Sequence, residues 1–99
     1  MKNENPHKGH RERMRRKFLE HGIDSFEQHE ILELLLFYSY PQRNTNIIAH
    51  NLLKKFGSLS GVFDADYKSL TEVEDVGENT ATLLKLQSAM CRIYMEDKF

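Results

Sequence analysis

The stretch VEDVGENTA at residues 73–81 offers the chemistry of backbone amides rather than of side chains. A glycine-containing turn that feeds a helix leaves N–H groups without helical partners, and the helix dipole behind them favours an anion. Val76, Gly77, Glu78 and Asn79 would present such amides to a phosphate, and Thr80 would add a hydroxyl. Glu72, Glu74, Asp75 and Glu78 surround the same turn. An acid there favours the helix dipole by about 0.3–1 kcal/mol, but it repels a phosphate at close range. The turn has the form of an anion grip and the wrong charge for one.

A second candidate lies at the other end of the chain. Residues 1–17 carry seven basic side chains against two acids, a net of +5, whereas residues 18–99 carry a net of −6. Lys8, Arg11, Arg13, Arg15, Arg16 and Lys17 fall on one helical segment, with Arg11 and Arg15 four apart on one face. A basic arm on an acidic body suits contact with a polyanion. Such a face tracks phosphates and reads no sequence.

Other chemistry is poorly represented. His7 with His10, and His29 beside Glu30, do not supply three ligands of plausible metal geometry, so no metal or other cofactor is expected. No nucleophile–base set, acid pair or glycine-rich phosphate loop stands out, which argues against catalysis by this chain and against a small-molecule substrate. The single cysteine, Cys91, has no internal disulfide partner and fits a reducing, cytoplasmic setting. No apolar run approaches the roughly 20 residues of a membrane span, and no membrane partner is expected.

Helices must position these candidates, because no segment shows sustained strand alternation. Residues 1–8 read as a frayed terminus, 9–95 as one domain and 96–99 as a tail. A helix over 9–21, with Met14, Phe18 and Leu19 on one side, stops at Gly22, and Ile23 folds back on it. DSFEQ offers Asp24 with Glu27, or Ser25 with Gln28, as caps for a strongly apolar helix that Pro41 ends. Asn44 or Thr45 caps the next helix, which stops at Gly57, and Asp66 caps a short helix carrying Leu70 and Val73. A last helix runs from about Glu78 to Tyr94, with Ala81, Leu84, Met90 and Ile93 facing inward. The segments form two helical hairpins, 29–56 and 67–94, joined by a connector that begins FGSL.

In the second hairpin, Leu70, Val73, Val76, Gly77, Ala81 and Leu84 are spaced as in a helix-hairpin-helix motif, which this unit resembles. Glycine would allow the tight turn, Val76 would plug the space between helices, and Ala81 would let them approach. GHRERMRRKFLEHG, ELLL, PQRNT, FGSL and VGENTATLLKL occur in the order found in the N-terminal domain of the bacterial RadC family, and residues 8–93 are similar to it. Two positions depart from that pattern: Asp75 replaces the first hairpin glycine, and Asn44 replaces an aspartate before the threonine. RadC proteins continue into a metalloprotease-like domain that this sequence does not contain, so the chain is expected to be the isolated N-terminal part.

The resemblance implies an all-α, compact bundle of five to six helices, of tandem helix-hairpin-helix (RuvA C-terminal/SAM-like) type. It implies a non-catalytic accessory role in DNA repair, with weak, non-specific binding of duplex or branched DNA. Lys8, Arg11, Arg13, Arg15, Arg16 and Lys17 would make the main contacts, with Asn44, Thr45 and residues 76–80 as secondary ones. The alternative is a protein-interaction or dimerisation module without DNA contact. Its expected patch is Phe37, Tyr38 and Tyr40 at the first turn.

Overall fold

The computed structural model describes residues 6–99, with side chains from residue 9 onward. The expected frayed segment therefore lies partly outside the described residues, and the chain from Pro6 is already helical. Six α-helices and no strand make up the described chain: α1 Pro6–His21, α2 Gln28–Leu36, α3 Thr45–Phe56, α4 Leu59–Asp64, α5 Tyr67–Thr71 and α6 Glu78–Lys98. The expected all-helical fold is what the chain adopts.

Local chemistry sets most of the boundaries. Asn44 caps α3 by accepting the Asn46 N–H at 3.1 Å, and Gly57 ends that helix at φ 88°, a left-handed conformation natural to glycine. Ser58 caps α4 through the Gly61 N–H, and Asp66 caps α5 through the Ser69 N–H at 2.7 Å. The start of α2 differs from expectation. Ile23–Ser25 form a 3₁₀ turn after Gly22, which takes Asp24 and Ser25 away from the capping position. Glu27 is the cap instead, and its N–H donates to the Glu30 carboxylate at 2.9 Å.

One core joins the two hairpins. Leu32 and Leu36 of α2, Ile48, Ala49 and Leu52 of α3, Val62 of α4 and Leu70 of α5 meet Val73, Val76, Ala81 and Leu84 around the second turn. Each fully buried leucine contributes about 1.5–3 kcal/mol relative to leaving it in water. Side chains tie the connector to its neighbours: Gln28 Oε1 accepts the Leu59 N–H, and Lys85 Nζ donates to the Ala65 carbonyl at 2.8 Å.

The periphery departs from the sequence pattern. Among the described side chains of α1 only Met14 is buried, while Phe18, Leu19 and, beyond the helix, Ile23 stay exposed. Met90 and Ile93 were expected inside, but they are 54% and 52% exposed because α6 runs on to Lys98, past the core it packs against.

Two caps carry a pH dependence. The Glu27 N–H holds the Glu30 carboxyl below its ordinary value of 4.5; partial burial opposes that and Lys17 assists it. The Ser69 N–H does the same for Asp66, whose ordinary value is 3.8. Carboxyls whose pKa is lower in the folded state stabilise it above the unfolded value, and this is lost as pH falls through the folded one. The melting temperature is expected to be level between about pH 7 and 5.5 and to decline below about pH 4.5. Glu30→Gln should shrink that decline in a thermal-melt series, and an unchanged acid limb would refute the role of this cap.

Candidate nucleic-acid interface

The basic arm divides into two groups. Arg11 is turned inward: its guanidinium donates to the Phe37 carbonyl at 3.3 Å and the Arg43 carbonyl at 2.8 Å, and it lies 4.6 Å from the centre of the Phe37 ring. Burial lowers its pKa first and the charge of Arg15 second, while Glu33 opposes both. Arg11 thus holds the end of α2 and the α2–α3 turn onto α1, which removes it from the set of free phosphate contacts.

Beside it, the buried Glu33 carboxylate, 3% exposed, takes His10 Nε2 at 2.9 Å and the Asn46 side chain at 3.2 Å. The space among His10, Arg11, Glu33 and Thr45 is about 10 Å³, enough for a single water at most. Lys17 is also engaged, 3.6 Å from Glu30 and 4.7 Å from the Phe26 ring centre. Arg13 and Arg16 are exposed and Arg15 is half-buried. The side chain of Lys8 lies outside the described residues.

The second candidate is built where the two hairpin turns meet. Tyr40 donates its hydroxyl to the Asp75 carbonyl, and Thr80 Oγ1 donates to Ser39 Oγ at 3.1 Å. Arg43 reaches across to the Asp75 carboxylate at 2.9 Å, with both side chains about half exposed. Between the turns lies an open groove of about 280 Å³, lined by Ser39, Tyr40, Gly77, Glu78, Asn79 and Thr80. The first internal bond of α6 runs from Ala81 N–H to the Gly77 carbonyl, so the amides of Glu78, Asn79 and Thr80 head the helix.

Several expected contacts are reassigned by this geometry. Val76 is buried, and its N–H donates to the Val73 carbonyl. The Thr80 side chain is 2% exposed and its hydroxyl is already used on Ser39. Thr45 is equally buried, with its hydroxyl on the Glu33 carbonyl, and Asn44 spends its side chain as a cap. Gly77, Glu78 and Asn79 remain at the surface.

The left-handed residue of the turn is Asp75, at φ 68°, whereas Gly77 has φ −101°. Glycine at 77 therefore does not make the turn; Asp75 takes up the conformation that glycine would hold without strain. Arg43 was not among the candidate contacts, although it stands in the PQRNT turn singled out in the sequence. The aromatic patch shrinks as well: Phe37 is buried, Tyr40 is half-buried, and only Tyr38 is largely exposed.

The described chain is thus an all-helical module whose two turns share a groove edged by the start of a helix, with an arginine of the first turn paired to the aspartate of the second. A family model described as UPF0758 N-terminal matches residues 7–82, and the chain belongs to that family, which is the RadC-like one. A UPF0758 protein of Fusobacterium nucleatum is 45% identical over 95 residues, covering 96% of this chain and 41% of that protein. A UPF0758 protein of Ruegeria pomeroyi is 39% identical over 80 residues, covering 81% of this chain and 36% of that protein. The chain spans about two fifths of these relatives. No solved structure matches it significantly.

Proposed function

We propose that the chain is a non-catalytic accessory module that binds the backbone of duplex or branched DNA weakly and without sequence preference, in the manner of a helix-hairpin-helix. The observation that carries this reading is the junction of the two turns, where Arg43 pairs with Asp75, two residues before the Gly77–Asn79 segment that opens α6. A phosphate seated on the Gly77–Asn79 backbone would meet the helix dipole and the Arg43 guanidinium together. Arg13, Arg15 and Arg16 supply further positive charge on α1. Kinship with a RadC-like family supports a repair setting, and the motif order in the sequence supports the hairpin comparison.

The test is fluorescence anisotropy of labelled duplex and branched DNA at several salt concentrations. With about three to five phosphates engaged, log affinity should fall with log salt at about −0.9 per phosphate. Arg43→Ala is expected to weaken binding about fivefold, on the scale of one exposed charge contact, and to reduce the slope by about one unit. Absence of binding at tens of micromolar in low salt would sink the reading.

A further inference from the structure

The outward side of α6 is apolar over two turns. Leu86, Met90, Ile93 and Tyr94 are each half exposed or more, and at 100° per residue they share one face. Ala89 and Gln87 flank them, so the face has no positive charge to offer a phosphate. It lies beyond the region matched by the family model, which ends at residue 82.

We propose that this face is the contact between two copies of the chain, paired antiparallel about a two-fold axis near Met90. The argument is the symmetry of the helix about that point. Leu86 and Tyr94 lie four residues on either side of Met90, so an antiparallel copy sets Leu86 against Tyr94 twice and Met90 against Met90. Lys85 and Glu96 are eleven residues apart, close to three full turns, so they stand on the same flank with opposite sign. Reversal of the partner brings each Lys85 to the other copy's Glu96, whereas a parallel pair sets the two Lys85–Glu96 flanks on opposite sides of the contact.

Both groups have capacity left. The Lys85 ammonium has two protons beyond the one on the Ala65 carbonyl, and the Glu96 carboxylate accepts more than the Arg92 bond at 3.1 Å. Four apolar side chains stand against the roughly 20–30 residues a side of a standard protein interface, so the pair is a weak one.

Sedimentation velocity from about 10 μM to 1 mM tests it, with half-dimerisation expected at tens to hundreds of micromolar. Met90→Lys should stay monomeric throughout, with an unchanged circular dichroism spectrum and melt. Lys85→Glu should weaken the dimer at least fivefold, and adding Glu96→Lys to it should restore most of the loss. A wild-type chain that remains monomeric at the highest concentration overturns the proposal. So does a dimer indifferent to Met90→Lys, or one that the double charge reversal fails to restore.

Discussion

Arg11→Ala is expected to lower the melting temperature by about 10 °C or more, whereas Arg13→Ala and Arg16→Ala leave it nearly unchanged. The guanidinium joins parts of the chain that are far apart in sequence, since it holds the carbonyls of both Phe37 and Arg43 and covers the Phe37 ring. Hydrogen bonds from a charged group are worth about 1.5–3 kcal/mol when their loss leaves a partner unsatisfied. The cation–π contact adds about 0.5–1 kcal/mol.

Discounting for partial exposure leaves about 2–3 kcal/mol, and each kcal/mol moves the midpoint of a domain this size by about 4–8 °C. Arg11→Lys should recover only part, because an ammonium does not span two carbonyls as the planar fork does. Exposed substitutions away from such contacts stay within about 0.5 kcal/mol. Thermal melts followed by circular dichroism compare the four variants directly. If Arg11→Ala melts with Arg16→Ala, the role of Arg11 as a strut is refuted. Charge tests of DNA binding therefore belong on Arg13, Arg16 and Arg43, whose replacement leaves the packing of α1 in place.

Features decided within a few residues of chain were legible in the sequence. The stop at Gly57, the cap at Asp66 and a cap at Asn44 or Thr45 depend on conformation and side-chain reach inside one turn; the structure has the first two and settles the third on Asn44. The inward positions of Leu70, Val73, Val76, Ala81 and Leu84 followed from helical spacing in the same way.

Contacts across the fold were not legible. Arg11 and Arg15 share a helical face, yet Arg11 meets carbonyls 26 and 32 residues away and Arg15 does not. Periodicity placed Met90 and Ile93 on one side of α6 without showing that the core ends before them. Thr80 looked like a free hydroxyl until Ser39, 41 residues distant, took it. The hairpin spacing was visible in the sequence, but the left-handed φ of Asp75 and its pairing with Arg43 belong to the folded turn alone.

That pairing sets the second large effect: Asp75→Gly is expected to raise DNA affinity about tenfold at low salt while leaving stability almost unchanged. In the wild-type chain the Asp75 carboxylate occupies Arg43 at 2.9 Å, as a phosphate oxygen would. Removing it ends one repulsion and frees one cation, each worth about 1 kcal/mol or less at a wet surface. Together these approach the 1.4 kcal/mol that corresponds to a factor of ten. The salt slope should stay near its wild-type value, because Arg43 already counts among the phosphate contacts of the wild-type chain.

Stability balances because glycine relieves the φ of 68°. That relief, about 1–2 kcal/mol, is offset by the loss of an exposed ion pair and by the extra freedom glycine gives the unfolded chain. Asp75→Asn separates the two effects, since it removes the charge and still tolerates the left-handed conformation. It should raise affinity as glycine does, and about half of the gain from either, the part that comes through Arg43, should be lost when Arg43→Ala is added. Should Asp75→Gly bind DNA no better than the wild type while Arg13→Ala and Arg16→Ala weaken binding, the phosphate path runs along α1 and bypasses the hairpin groove.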